Sequence, residues 1–273
     1  MKNILIKNEG GVLIISLLVS ILSAYCAIMG FIDKNLYGNI ISTGVFKMVY
    51  MAGTISQDII TIFSSITLII LVIFYMKTKD IRIFISIIGL LSFYFYAYGT
   101  YVISALYTSI YIIYMFIFSL SIFGMVLGIN GFEKETVHRL QMSKWVRISS
   151  IIFLSFTVCT FVPMWISHMI PHTKSHTIPD FYAIYILDLC IVMPFFIYVI
   201  FMLIKNTKSA YILLGVSLVK TITLILSVVI GEITVSAQYF LVDVTMVIIY
   251  GFIISISSVL YVFYCLRLKK AFE

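Results

Sequence analysis

Charge is what this sequence has least of. Only 11% of its 273 residues are Asp, Glu, Lys or Arg, while 62% are hydrophobic and the mean hydropathy is +1.15. A chain with that balance is too apolar to fold as a soluble domain and stay in solution. Proline and tryptophan are scarce as well, with four and two residues, and linkers rich in Pro, Gly or Ser are missing. With no low-complexity run, no internal repeat and no long hydrophilic stretch, one membrane domain is expected over residues 1–273. The four cysteines, Cys26, Cys159, Cys190 and Cys265, fall inside apolar segments and form no CxxC pair. Neither a disulfide framework nor a zinc ribbon is suggested, and they read as small packing residues. Walker A, GxSxG, HExxH and dinucleotide GxGxxG motifs are absent, and none of the four histidines lies mid-span where a haem ligand would be expected. No cofactor is implied, and the lack of a nucleophile, base and metal constellation weighs against an enzyme.

What is present is a succession of apolar segments near the length a bilayer requires, roughly 20 residues. They run over about 11–31, 58–76, 81–104, 107–129, 148–166, 181–204, 210–231 and 239–266. The expected fold is therefore all-α, a polytopic bundle of eight transmembrane helices. The first run resembles a signal peptide in having a basic start, but it exceeds a normal signal core and Ser23-Ala24-Tyr25-Cys26-Ala27 is a poor cleavage site, so a retained helix is preferred. Residues 32–57, with Gly38, Gly44 and Gly53, read as the longest external loop, with room for a short segment lying at the interface.

Of the 18 Lys and Arg residues, 14 lie in the leader, the tail and the connections after spans two, four and six, and three (Lys34, Lys47 and Lys174) lie in the alternate connections. The last is Lys220. By the positive-inside rule both termini are cytoplasmic, in a bacterial-type plasma membrane. The same distribution explains the net charge of +7 as topology, so nucleic acid is not an expected partner. The partners expected are the lipid bilayer and either a small solute or another membrane protein.

Two charges fall where hydrocarbon is expected. Asp188 lies on the order of 10 Å inside span six and Lys220 near the middle of span seven. An ionisable group there is costly, so it faces other helices or a wet cavity and has a partner. Asp58 opens span two, Glu232 ends span seven and Asp243 lies just inside span eight, which places all four carboxylates in the outer half. A lysine stem reaches several Å toward one of them, and Asp188 is closest in depth. Gln57, Asp58, Thr61 and Ser65 trace one face of span two, and Ser217, Lys220, Thr221 and Ser227 one face of span seven. Pro194, six residues after Asp188, is expected to kink span six. Asp58, Asp188 and Lys220, with Asp243 and Glu232, form the candidate solute or ion cavity, expected to open to the outside. The bland alternative is an Asp188–Lys220 pair that only holds two helices together.

Tyr94, Tyr98 and Tyr101 on span three and Tyr107, Tyr111 and Tyr114 on span four recur at helical spacing across a tight turn near Ala105, as an interfacial belt or a packed hairpin. His168, His172 and His176 have i, i+4, i+8 spacing, a metal-like face on a regular helix. Pro171 and Pro179 argue for a solvated loop instead. Lys220 in a seventh span invites comparison with retinal proteins, but an eighth span follows and the pocket-lining pattern is not recognisable.

Gln57-Asp58-Ile59-Ile60-Thr61, the tyrosine hairpin from Tyr94 to Tyr114, Ile186-Leu187-Asp188-Leu189 with Pro194, and Leu218-Val219-Lys220-Thr221 together resemble a family of bacterial multi-spanning proteins of unknown function. The resemblance covers most of spans two to seven and implies that Asp58, Asp188 and Lys220 belong to one site, with no reaction attached. The function expected is small-solute or proton-coupled transport, or solute binding. The alternatives are a membrane-embedded accessory subunit and an intramembrane enzyme.

Overall fold

The computed structural model describes residues 6–33, 35–42, 49–179, 181–239 and 244–270. Its helices are α1 (Glu9–Ile32), α2 (Asn35–Ser42), α3 (Val49–Thr78), α4 (Ile81–Ile103), α5 (Tyr111–Asn130), α6 (Lys134–His138), α7 (Lys144–Ser175), α8 (Tyr182–Leu187), α9 (Met193–Ile204), α10 (Ser209–Tyr239) and α11 (Val244–Arg267). A π-helical turn, Asp188–Val192, joins α8 to α9. Counting α8 and α9 as one rod, eight helices among the described residues are long and apolar enough to cross a membrane.

The bundle is apolar outside and partly polar inside. Ile14 and Ile21 on α1, Phe63 and Ile70 on α3, Ile112 and Phe116 on α5, and Phe252 and Val259 on α11 are exposed, whereas Ser16, Ser20, Ser23, Asp58, Ser65, Asp188, Ser217 and Lys220 are buried. That reversal of the soluble pattern suits a lipid surround, which rewards apolar surface on every outward face. The least apolar of the eight spans, α4, is the most deeply buried, and α10 is second. These two form the seam. Around them α4 packs against α1, α3 and α5, α10 packs against α3, α9 and α11, and α7 packs on α9 and α11.

Close approach along the seam depends on glycine. A Cβ at Gly89 of α4 would stand 2.6 Å from the Cβ of Val219 on α10. On α5, Gly124 and Gly128 likewise admit Leu91 and Ile88 of α4, the small-residue spacing that lets membrane helices touch. At one end of the bundle both chain ends meet the α5–α7 connection. Ile6 bridges to Phe132, and a two-stranded antiparallel ladder pairs Leu140–Gln141 (β1) with Lys269–Lys270 (β2).

Several helix ends lie beyond the apolar runs read from sequence. The second span starts at Val49, inside what was read as loop, so Asp58 stands well within α3 and not at its boundary. The fifth extends to Ser175 through Pro163 and Pro171, and the histidine segment is therefore its last turns and not a loop. The seventh continues to Tyr239, so Glu232 lies inside a helix instead of ending one. In each case the helix continues past the end of its apolar run, where hydropathy no longer reports it. The fourth span begins later than expected, at Tyr111, after a turn with Ala105 in the left-handed region at φ 53°.

Candidate functional site

The first polar centre is built around Asp188. Pro194 has no N–H to give and its ring crowds the carbonyl one turn back. The chain accommodates it with the π turn just before, where the Met193 N–H reaches the Asp188 carbonyl. Single π turns inside helices recur at functional sites. This one re-aims Asp188 inward, 7% exposed, where Oδ2 accepts a hydrogen bond from Trp165 Nε1 of α7 at 2.8 Å. The Tyr96 hydroxyl of α4 lies beside the same carboxylate.

Lys220 completes this centre from α10. It is 6% exposed, with Nζ 4.6 Å from the centroid of the Tyr96 ring and 5.6 Å from that of Phe196. Asp188 is the charge that acts on it, yet among the described residues no carboxylate lies within ion-pair distance of Nζ. The lysine is thus held by ring faces, which attract a desolvated cation by about 2 kcal/mol, and by the field of a carboxylate a short gap away. It keeps three N–H donors for a further acceptor.

The second centre is on the other face of α4. Tyr96 and Tyr98 are about 200° apart around a helix, so the Tyr94, Tyr98 and Tyr101 stripe turns away from Lys220. Asp58, 3% exposed, meets that stripe. Its Oδ2 accepts a hydrogen bond from the Tyr37 hydroxyl of α2 at 2.8 Å, and Tyr98, Tyr101, Tyr114 and Cys26 surround it. Gly30 of α1 makes the room, since a Cβ there would collide with the Asp58 carboxylate and the Tyr37 hydroxyl. The rings pack closely in tilted pairs, Tyr98 at 5.7 Å and Tyr101 at 5.2 Å from Tyr114, so the two stripes face each other, while Tyr107 stays exposed. The Tyr114 and Thr108 hydroxyls are buried there beside each other, without a hydrogen bond of good geometry among the described residues. One to two turns away, Ser65 Oγ lies 3.0 Å from Ser23 Oγ and 2.9 Å from the Tyr94 hydroxyl, while the Ser23 and Ser65 hydroxyls donate to the Val19 and Thr61 carbonyls.

The residues expected to share one cavity are therefore found in two places. Asp188 and Lys220 come together around Tyr96. Asp58 sits apart with the tyrosines, and the partners it contacts are not those of Asp188. Glu232 is half-buried beside Gly231, which faces Ser56 of α3, and has an interaction of its own. Asp243 lies outside the described residues. His168 and His172 share a face of α7 and His176 caps it in the left-handed region, with His172 Nδ1 3.0 Å from Thr177 Oγ1. Among the described residues no group of three His, Cys, Asp or Glu side chains is placed to hold a metal.

Sequence reading missed Tyr37, Tyr96, Trp165 and the π turn. A signal existed for Tyr96, which breaks the spacing of the stripe around it, and for the π turn in the proline after Asp188. Tyr37 had none, because its helix is one that the glycines of 32–57 argued against. Comparison with protein-family models, curated proteins and solved structures finds no match to this chain, so the resemblance carried by its short motifs has no family model behind it and the two centres are read from their own geometry.

Proposed function

We propose that this is a multi-pass protein of a bacterial plasma membrane, with both termini cytoplasmic, that binds a small solute at the Asp188–Lys220 centre and couples its passage to a proton held at Asp58. The observation that carries the reading is Lys220, a cation buried mid-helix with aromatic faces beneath it and no carboxylate in contact among the described residues. A site of that kind is complementary to a small solute with an anionic group for Lys220 and a hydrogen-bond donor for Asp188. The π turn and Pro194 weaken the backbone hydrogen bonding of the sixth span beside the centre, which suits a segment that must shift as a solute passes. Asp58, ringed by hydroxyls with no described cation against it, has the surroundings of a proton carrier in a membrane interior. Burial of all three charges counts against an accessory subunit docking by them, since helices that dock through charge present it on their outer faces.

Ligand stabilisation tests this. Full-length protein in detergent is heated across a panel of small carboxylates, amines and amino acids. At a hundredfold excess over Kd a true ligand adds about 2.7 kcal/mol of stability. The gain is expected to vanish in Lys220→Met. A panel in which nothing stabilises the wild type, or in which the variant gains equally, removes the solute site.

Orientation is tested separately. Ile6 and the β2 strand meet the same α5–α7 connection, so the two chain ends share one end of the bundle. The lysine distribution makes that end cytoplasmic. A reporter after Phe272 is expected to read as cytoplasmic and one near Lys174 as external. Either one on the opposite side overturns the orientation and the depth of every carboxylate with it.

A further inference from the structure

A cavity of about 990 Å³ opens between the ends of α5, α9 and α10 on the lysine-rich side. It is unlike the two centres above in both position and chemistry. Its apolar lining includes Phe195, Tyr198 and Met202 of α9, with Phe195 and Met202 half-buried and Tyr198 exposed. Its mouth carries Lys134, Lys205 and Lys208, and no aspartate or glutamate lines it. The nearest acids in sequence are engaged or aside: Glu135 pairs with Arg139, and Glu133 precedes α6 without lining the cavity. Two of the lysines are steadied on rings, Lys205 Nζ 4.1 Å over Phe201 and Lys208 Nζ 5.5 Å over Tyr211, and neither forms an ion pair among the described residues. An apolar slot with a cationic mouth at the membrane surface fits an amphiphile of opposite charge.

We propose that this cleft binds one anionic phospholipid of the cytoplasmic leaflet, its phosphate among Lys134, Lys205 and Lys208 and an acyl chain along Phe195, Tyr198 and Met202. Three lysines give the phosphate the charge it lacks in bulk lipid. The ring-held stems of Lys205 and Lys208 lose little further freedom on binding it. The chain lies against α9, the helix that follows the π turn, so an occupied cleft braces the same rod that carries Asp188. This inference rests on the membrane reading and its orientation, and not on the solute.

Native mass spectrometry of the full chain, released from mixed phosphatidylglycerol and phosphatidylcholine, reads it directly. One phosphatidylglycerol is expected to stay bound in preference to phosphatidylcholine. Lys205→Gln with Lys208→Gln is expected to weaken retention roughly 30-fold, about 5-fold for each basic residue near an anionic headgroup. Met202→Trp fills the slot with the charges intact and is also expected to expel the lipid. Equal retention of the two lipids, full retention in the lysine double variant, or full retention in Met202→Trp overturns the proposal. Displacement of the lipid by glycerol 3-phosphate alone does so too, by showing a site for a soluble phosphate. Ligand stabilisation in the lysine double variant separates the two readings, since it is expected to match the wild type whatever happens to the lipid.

Discussion

Lys220→Met and Asp188→Asn are each expected to destabilise the protein by about 1–3 kcal/mol, and the double variant by clearly less than their sum, with a coupling energy of about 0.5–3 kcal/mol. Breaking a buried pair in direct contact costs about 3–5 kcal/mol. Here Nζ stands over the Tyr96 and Phe196 rings with a gap before Asp188, so part of the cost is already carried by the rings. Methionine keeps the length of the stem and its packing on those rings. Asparagine keeps an acceptor for Trp165 Nε1 while removing the charge. Equilibrium unfolding of the four proteins gives the cycle. Additivity within about 0.5 kcal/mol means the two residues do not form one centre. Recovery of stability in the double variant without recovery of ligand stabilisation distinguishes a binding site from two helices held together by charge.

The second large effect is expected at Gly89, which touches neither charge. A Cβ there lies 2.6 Å from Val219 Cβ and 2.8 Å from its Cγ1, and a β-branched side chain next to backbone has no rotamer that retreats. Gly89→Ala therefore pushes α10 off α4. Overpacking of this kind costs about 1–3 kcal/mol. Because Val219 precedes Lys220, the displacement also lifts Nζ from the Tyr96 ring, and ligand stabilisation is expected to fall with stability. Adding Val219→Gly returns the space and is expected to restore both. A Gly89→Ala protein of wild-type stability would mean that the seam is looser than this geometry requires.

The sequence disclosed what depends on composition along the chain. Asp188 and Lys220 stand out because a charge in an apolar run has few explanations, and both are buried, as is Asp58, which the apolar run placed only at its edge. Helix number followed from the apolar runs for the same reason. Helix ends did not, since residues 49–57, 167–175 and 232–239 are polar enough to look like loops while their backbones remain helical. Two prolines within α7 failed to break it, as membrane helices often tolerate them. Nor could the sequence say that Asp58 and Lys220 lie against opposite faces of α4. That depends on which helices are neighbours, and Tyr96 and Tyr98 look alike until the partner of each is known.

The depth at which α4 is buried sets an order for making the protein. This helix leaves the ribosome with α1 and α3 already made and α5 soon to follow, so its tyrosine stripe finds cover early. Its Gly89 face has to wait for α10, which is synthesised long afterwards. In the interval the least apolar of the eight spans presents a bare backbone groove and the Tyr96 hydroxyl to lipid or to the insertion machinery. The Lys220 centre is thus completed only when α10 arrives, bringing its own charge to Asp188 after Asp58 and its tyrosines have already been made.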